Sequence, residues 1–331
     1  MLSTPPDSQA DQPAPRLVRP PSPADLDHAW RTVSTRLPPT PVDLGAGSTG
    51  STHFALKLES LQPTGSFKVR GALAALSALP EGTRVVTASA GNHGAGVAYA
   101  ALALGRPATV VVAENASPAK VSLLRRLGAD LVQVGRSFDE AEAHALALAE
   151  QGAHYLSGYN DPHVIAGQST IGRELDTQLD GDLTVVCGVG GGGLASGLGL
   201  WAATRPGVRV VGVEAEVSTA VSAAVRAGRQ VTVSIGETLA DGMAGNIEPG
   251  SVTPGLIARH VEAMVTVTEA EIRAAIRYLV TERGYVAEGS GAAAVAALLA
   301  GKVPVHGRAV AVVSGRNITL PALTTALETA A

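Results

Sequence analysis

The segment KLESLQPTGSFKVRGA, residues 57–72, places one lysine between a tight turn and an apolar helical pattern. Val69 and Leu73 follow Lys68 at helical spacing, which indicates that Lys68 stands at the start of a helix. We expect burial and the positive end of the helix dipole to lower the pKa of its ammonium group. A neutral amine in that position can condense with an aldehyde. Taken alone, the same lysine also fits a surface residue at the end of an element.

Four consecutive glycines, Gly190, Gly191, Gly192 and Gly193, separate a strand pattern from a helical pattern. Bare backbone N–H groups at the start of a helix can converge on an anion, so this loop predicts a phosphate site. The loop lacks the Lys and Ser/Thr that end a nucleoside-triphosphate loop, and it matches the dinucleotide fingerprint only loosely. A flexible turn is the alternative.

Polar residues also end two of the predicted strands. Ser89, Gly91, Asn92 and His93 end or follow the strand pattern RVVTAS. Ligands of open α/β sheets bind at this end of the strands. Ser314 ends the last strand pattern, and its hydroxyl can donate to or accept from a ring nitrogen. Asn92 also fits a helix cap, His93 a surface residue, and Ser314 an ordinary turn.

The elements that must position these residues alternate between β-branched runs and helical patterns from Arg84 onward. This alternation is typical of βαβ units and a mostly parallel sheet. Ser117 and Gly128 bound one clear helix, SPAKVSLLRRLG. Eight runs predict strands: RVVTAS, ATVVVAE, DLVQVG, HYLSG, LTVVCGVG, VRVVGVEA, MVTVT and RAVAVVSG.

Eight strands over this length fit two doubly wound open-sheet domains of the α/β class better than one sheet. We expect a mobile tail at residues 1–24, which are rich in proline and polar residues. A large domain would combine residues 25–72 and 160–325, and a small domain would comprise residues 73–159. The turn signal NDP marks the second boundary.

Composition narrows the class of protein. With 331 residues, 46% of them hydrophobic, the chain can bury a large core. Its net charge of -4, without a basic cluster, argues against a nucleic-acid partner. The single cysteine, Cys187, cannot form an internal disulfide and favours a reducing compartment. No apolar run resembles a signal peptide or a transmembrane span, so we expect a cytoplasmic protein without a membrane partner.

Seven segments, taken together, resemble the pyridoxal-phosphate enzymes of the threonine dehydratase and serine racemase family, which is related to the tryptophan synthase β subunit. The resemblance extends from about Leu56 to Thr319, with the segments in the family's order. They are KLESLQPTGSFKVRGA, SAGNHG, DPHVIAGQST, GGGGL, TLADG, EGSGAA and VVSGRN.

The resemblance implies that pyridoxal 5'-phosphate lies in the cleft between the two domains, linked to Lys68 as a Schiff base. Lys68 would also be the base beside the substrate's Cα. The match to the family's motifs implies the other roles. Asn92 would bond the cofactor's phenolic oxygen, Ser314 would face its ring nitrogen, and Phe67 would also contact the cofactor. The phosphate would be bound by Gly190, Gly191, Gly192, Gly193 and Leu194, and the substrate carboxylate by the loop with Ser89, Gly91 and His93.

The implied reaction is β-elimination, the dehydration and deamination of a small β-hydroxy amino acid to a 2-oxo acid and ammonia. L-Threonine and L-serine are the default substrates, and a hydroxyaspartate or another β-hydroxy amino acid is an alternative. A serine hydroxyl such as that of Ser314 does not hold the pyridine nitrogen protonated, which weakens the electron sink and favours elimination over transamination. A homodimer is implied by the resemblance alone.

Several positions depart from the family's pattern. Racemases carry a serine where this chain has Ala90, which argues for elimination. In the family's divalent-cation site, one acidic residue is matched by Glu214, but this chain has Ala220 where a second acidic residue is usual, so we predict no metal.

Arg316 and Ser169 replace glycines, which affects specificity. Arg316 fits either recognition of an acidic substrate or a solvated charge. The short C-terminal extension leads us to expect no regulatory domain and no feedback inhibition.

Two rivals come from other classes. A nicotinamide-dependent oxidoreductase could use GVGGGG as its nucleotide loop, with Glu214 on the ribose. That interpretation leaves Lys68 and its flanking TGSF without a role. A binding protein without activity on the same fold is the other rival.

Overall fold

The computed structural model describes residues 16–45 and 54–328. Its strands are β1 (Val42–Asp43), β2 (Ala55–Lys57), β3 (Val85–Ala88), β4 (Ala108–Val112), β5 (Asp130–Gln133), β6 (His154–Tyr155), β7 (Leu183–Gly188), β8 (Val208–Ala215), β9 (Ala263–Val267) and β10 (Arg308–Val312).

The α-helices of this part of the chain are α1 (Pro23–Ser34), α2 (Lys68–Ala78), α3 (Asn92–Leu104), α4 (Pro118–Arg126), α5 (Phe138–Glu150), α6 (Pro162–Gln178), α7 (Gly193–Ala202), α8 (Ala220–Ala227), α9 (Thr253–His260), α10 (Glu269–Thr281), α11 (Gly289–Leu299) and α12 (Leu320–Leu327). Short 3-10 turns occupy Glu59–Leu61 and Asp241–Met243. None of the described helices has both the length and the hydropathy needed to cross a bilayer.

The strands form two sheets. A six-stranded sheet has the order β1-β2-β10-β7-β8-β9, and a four-stranded sheet has the order β5-β4-β3-β6. Among the described strands, only the β1–β2 pair is antiparallel. This arrangement confirms the predicted α/β class with parallel sheets. The eight predicted strands are β3 to β10, whereas β1 and β2, of 2 and 3 residues, were not predicted because they are too short to show a pattern.

Helices cover both faces of the six-stranded sheet, which is why its central strands are mostly apolar. In β7, Val186 packs into the cluster formed with α10 and α11, whereas Val185 and Cys187 pack into the cluster formed with α6 and α7. The glycine loop leaves this buried strand at its carboxyl end, so the core fixes the position of the loop.

Three glycines bring α3 and α6 against the first turns of α2. A Cβ on Gly167 of α6 would lie 2.5 Å from the Cα of Gly71 in α2, so the two helices touch through their backbones. A Cβ on Gly96 of α3 would lie 3.0 Å from the carbonyl carbon of Lys68. The residue at the start of α2 is therefore enclosed by two neighbouring helices.

Part of the predicted tail is ordered against the fold. Arg16 forms an ion pair with Glu248 at 3.0 Å, and Ser22 caps α1, which begins at Pro23. Residues 16–24 thus make specific polar contacts in the structure, while the predicted mobile tail remains a prediction. Residues 1–15 lie outside the described residues.

The predicted domain limits remain a prediction. The four-stranded sheet takes its strands from Val85 to Tyr155, inside the predicted small domain, but α2 crosses the boundary at residue 72. At the second boundary, the Asp161 carboxylate accepts from the backbone N–H groups of His163 and Val164 and so caps α6.

The helix predicted between Ser117 and Gly128 is α4. Ser117 occupies its N-cap position but makes no side-chain capping bond, so the expected capping bond is wrong while the helix is confirmed. Gly128 has a φ of 76°, the left-handed conformation that ends a helix.

Candidate active site

Lys68 is the first residue of α2, as the sequence predicts. Its Nζ donates to the Gly158 carbonyl oxygen at 2.6 Å and lies 5.3 Å from the centroid of the Phe67 ring. Burial lowers the pKa of the Lys68 amine to about 8, although the nearby Glu288 carboxylate opposes the shift. A much larger fraction of this amine is neutral near physiological pH than in a solvated lysine.

The turn before Lys68 is held against the end of β10. Gly65 has a φ of 79°, and a side chain there would clash with Asn317. The Phe67 N–H donates to the Ser314 carbonyl oxygen at 3.0 Å. These contacts bring the hydroxyl-bearing end of β10 next to the start of α2.

Ser314 is buried, and its Oγ donates to the Ser290 carbonyl oxygen at 3.4 Å, a long and weak hydrogen bond. The Ser290 Oγ is also buried and has no partner among the described residues. Two hydroxyl groups are thus available at this end of the sheet, of which sequence reasoning found only Ser314.

Asn92 is the first residue of α3 and not its cap, because Gly91 occupies the N-cap position. Its Nδ2 donates to Glu288 Oε1 at 2.6 Å, and its Oδ1 accepts from Asn317 Nδ2 at 2.6 Å. The simple capping alternative is therefore wrong, and distant residues hold the amide at both ends.

His93 is buried rather than on the surface, so that alternative is wrong as well. Its Nε2 lies 3.0 Å from the Leu156 carbonyl oxygen. Since a carbonyl only accepts, Nε2 carries the proton, and Nδ1 is left as an acceptor without a partner among the described residues. Burial, with a further contribution from Lys68, lowers the pKa of His93 to about 4.

The imidazole and the lysine amine meet at Gly158. A Cβ on Gly158 would lie 3.2 Å from His93 Cγ and 3.4 Å from Lys68 Nζ. The structure therefore brings a neutral imidazole and an amine of lowered pKa to the same place.

The glycine loop is tightly fitted rather than loose. Gly192, with a φ of 87°, is the N-cap of α7, and a side chain on Gly191 would clash with the ring of Tyr159. Thr253 Oγ1 donates to the Gly191 carbonyl oxygen at 2.7 Å. Gly193 begins α7, and the buried Leu194 anchors its first turn in the core. The first backbone N–H groups of a helix lack partners within that helix.

The Ser89 loop lies at the carboxyl end of β3. The Ser89 Oγ accepts from the Gly91 N–H at 3.2 Å. Apart from the adjoining residues of the chain, no described residue has an atom within 4 Å of the position that a Cβ on Gly91 would take, which leaves space beside this loop.

Glu288 is another site residue that sequence reasoning missed. It is 7% exposed. Burial raises its pKa to about 7, although the hydrogen bond from Asn92 favours the ionised form. It is the N-cap residue of α11, within the segment EGSGAA. The sequence signal is a lone acidic residue ahead of an alanine-rich helix, which does not by itself indicate a buried position.

Two departures from the family's pattern, Arg316 and Ser169, and the matching residue Glu214 also have definite positions. Arg316 is half-buried and donates to the Ser60 carbonyl oxygen, and Ser169 donates to Ala166 within α6 at 2.7 Å. Glu214 accepts from the Val221 N–H at 2.9 Å and from the Ser222 hydroxyl, so its carboxylate caps α8. No cluster of three or more His, Cys, Asp or Glu that could bind a metal occurs in the described ranges.

A sequence profile of pyridoxal-phosphate dependent enzymes matches residues 33–315. The chain belongs to this family. The oxidoreductase and the inactive binding protein are thereby set aside, and Glu214 is engaged with α8 rather than free to bind a ribose.

This pyridoxal-phosphate dependent enzyme is similar to proteins of established name. It is 46% identical over 269 residues to an L-threonine ammonia-lyase of Thermotoga maritima, covering 80% of this chain and 67% of that protein. The processed form of threonine deaminase isoform 2 from Solanum lycopersicum superposes with a TM-score of 0.85 at 30% identity and 98% coverage of both chains. Maize serine racemase superposes with a TM-score of 0.84 at 28% identity, covering 93% of this chain and 97% of that one.

The residues present fit the cofactor of this family. An amine of lowered pKa suits condensation with an aldehyde, and the glycine-lined start of α7 suits an anionic phosphate. The His93 Nδ1 and the Ser290 Oγ are buried polar atoms without partners among the described residues, as expected where a polar ligand completes a site.

Proposed function

We propose that this enzyme is an ammonia-lyase that dehydrates and deaminates small β-hydroxy amino acids, with L-threonine as the first substrate and L-serine as the second. The observation that carries the proposal is the Lys68 amine, whose pKa burial lowers to about 8 at the start of α2. The 46% identity to an L-threonine ammonia-lyase supports the choice of reaction.

The proposed cofactor residues have separate tasks. Bound pyridoxal phosphate supplies an aldehyde that captures amines and a conjugated ring that withdraws electrons from the substrate's Cα. The N–H groups of Gly190 to Leu194 would bind its phosphate, Asn92 would bond its phenolic oxygen, and Ser314 would serve its ring nitrogen. Phe67 packs beside the Lys68 amine.

Lys68 is the proposed catalytic residue. Its neutral amine would accept the proton from the substrate's Cα. In net terms that proton and the β-hydroxyl leave together as water, so one C–H bond and one C–O bond break while a Cα=Cβ double bond and an O–H bond of water form. Addition of water and loss of ammonia then give the 2-oxo acid. Ser89, Gly91 and His93 form the loop that receives the substrate carboxylate, and the space beside Gly91 leaves room for it.

The test uses purified protein with added pyridoxal phosphate. We expect 2-oxo acid and ammonia in equal amounts from L-threonine, less from L-serine, and borohydride labelling of Lys68. Absence of product from every β-hydroxy amino acid, including the hydroxyaspartates, would overturn the proposal.

Racemisation is the second candidate, because maize serine racemase has a closely similar fold. Ala90 argues against it, since an alanine side chain cannot move a proton on the face of the substrate opposite Lys68. Chiral chromatography of the same reaction mixtures compares the two activities. Exchange of enantiomers faster than formation of 2-oxo acid would reverse the choice.

We further propose that the protein is a cytoplasmic homodimer. The buried free thiol of Cys187 is compatible with a reducing compartment. Light scattering coupled to size-exclusion chromatography measures the mass directly, and a monomer at micromolar concentration would contradict the proposed assembly.

A further inference from the structure

A chain of hydrogen bonds joins four separate segments beside Lys68. Asn317, after β10, donates through Nδ2 to the Thr64 carbonyl oxygen at 2.8 Å and to Asn92 Oδ1 at 2.6 Å. Asn92, at the start of α3, donates through Nδ2 to Glu288 Oε1 at 2.6 Å. The chain thus links the turn before Lys68 to the first turns of α3 and α11.

The direction of every bond in this chain follows from its first member. A backbone carbonyl only accepts, so the atom of Asn317 that faces Thr64 must be the amide nitrogen. The same nitrogen also faces Asn92, which must therefore present its oxygen. The Asn92 nitrogen is then directed to Glu288, whose Oε1 must accept. Amide orientations are assigned from hydrogen-bond partners, and here the assignment has one solution.

Glu288 therefore ends the chain as an acceptor. If Glu288 instead donated a proton to Asn92, the Asn92 amide would turn over and direct its nitrogen at the Asn317 nitrogen, placing two donors face to face. In the observed orientation, one Nδ2–H of Asn92 is committed to Glu288 and the other remains for a ligand.

We propose that Glu288 is a positioning residue that, by accepting from Asn92, holds the Asn92 amide with its second N–H available to the cofactor. This inference rests on the proposed function, because it deepens the role given there to Asn92. Glu288 acts through Asn92 and takes no part in the proton transfer assigned to Lys68.

The surroundings of Glu288 support a role for its oxygen rather than its charge. The groups that face it are Lys68 on α2, Lys120 on α4, Asp241 in the 3-10 turn and the Asn92 amide. Burial, with a contribution from Asp241, opposes the ionised form of Glu288 more strongly than the hydrogen bonds from Asn92 and the Asn317 backbone and the charge of Lys120 favour it. An uncharged acceptor of the same shape should therefore serve equally well.

The experiment titrates apoprotein variants with pyridoxal phosphate and follows visible absorption. Glu288→Gln keeps an acceptor oxygen, so we expect affinity within about threefold of wild type and the same absorption band. Glu288→Met leaves the Asn92 N–H without an acceptor, which should weaken binding at least about tenfold and shift the band. Asn317→Ala, which releases the Asn92 oxygen, should resemble Glu288→Met.

Two controls make the result decisive. Glu142→Met removes another partly buried carboxylate, one that accepts from Tyr155 at 2.6 Å, and should leave affinity and band unchanged. Thermal unfolding of each apoprotein reports whether it folds, and Asn317→Ala decides the question if Glu288→Met does not fold.

The outcomes separate the two proposals. Wild-type protein that binds no pyridoxal phosphate would overturn both the function and this inference. If the wild type binds the cofactor, two results would count against the inference. A Glu288→Gln protein that binds pyridoxal phosphate as weakly as Glu288→Met would assign the effect to the charge of Glu288. A Glu288→Met protein with the affinity of the wild type would show that Glu288 does not position Asn92. Either result overturns the inference alone.

Discussion

Lys57 and Lys68 are two buried cations with opposite surroundings. The Lys57 Nζ donates to Glu174 Oε2 at 2.5 Å, to the Thr40 carbonyl oxygen at 2.8 Å and to Gln178 Oε1 at 2.8 Å. For Lys68, the described residues supply one acceptor, the Gly158 carbonyl oxygen. Burial lowers the pKa of both lysines, but two carboxylates, Glu174 and Glu59, oppose the shift at Lys57, whereas one, Glu288, does so at Lys68.

The Lys57 region is a closed network. Arg70 forms ion pairs with Glu59 at 2.7 Å and with Glu174 at 2.6 Å, and Glu174 also binds Lys57. The charges of two cations and two carboxylates therefore cancel in the interior. Buried charges need such pairing because they have lost their hydration. Arg70 is two residues after Lys68 in the chain, so the paired region anchors the helix whose first residue is unpaired. A buried lysine becomes reactive when its charge lacks compensation, and burial alone is insufficient.

The largest expected effect comes from removing the unpaired amine. Lys68→Ala should lower the rate of 2-oxo acid formation by about 10²-fold to 10⁴-fold, the usual contribution of a positioned acid or base, or more if the covalent link is also lost. Its unfolding free energy in urea should not fall, because no charged partner is left behind. A variant that keeps a tenth of the wild-type rate would show that Lys68 is not the base.

Breaking the paired region should affect stability instead. Glu174→Gln leaves Lys57 and Arg70 undercompensated in the interior, and we expect a loss of about 3 to 5 kcal/mol in urea unfolding. The control is Glu262→Gln, which breaks an exposed pair with Arg209 and should cost at most about 1 kcal/mol. Equal losses in the two variants would mean that the buried network is no stronger than a surface pair.

The pH dependence of stability should distinguish Lys68 from other lysines. Its pKa in the folded protein is about 8, below the ordinary value of 10.5 that applies on unfolding. Between these values the unfolded chain binds more protons, so the unfolding free energy rises with pH, by about 3 kcal/mol in total. As the pH rises from about 8 to about 10.5, the unfolding free energy of the wild-type apoprotein should increase relative to that of Lys68→Met. A difference in unfolding free energy that stays constant over this range would contradict the lowered pKa.

The smallest expected effect concerns the anion site next to the unpaired lysine. Gly191→Ala directs a methyl group at the Tyr159 ring and should weaken pyridoxal-phosphate binding by about tenfold, or about 1.4 kcal/mol. Gly255→Ala is the matched control, because within the described part of the chain only the local backbone lies within 4 Å of the added carbon. Equal loss of pyridoxal-phosphate affinity in both variants would show that the glycine loop has no specific role in binding.

The sequence by itself determined the features that depend on local pattern. Eight of the ten described strands, the start of α2 at Lys68 and the helix that follows the glycine loop were all predictable. Hydrophobic periodicity and the backbone freedom of glycine act over a few residues, so a linear sequence displays them.

Only the tertiary structure decided which polar groups are buried and which are paired. Asn92 and Glu288 are 196 residues apart, and Arg70 and Glu174 are 104 apart. Nothing near His93 in the sequence indicates that it is buried, and the ordered part of the N-terminal segment depends on Arg16 reaching Glu248. Desolvation and charge compensation are set by whichever distant segments meet, so the chemistry of Lys68 follows from the fold around it.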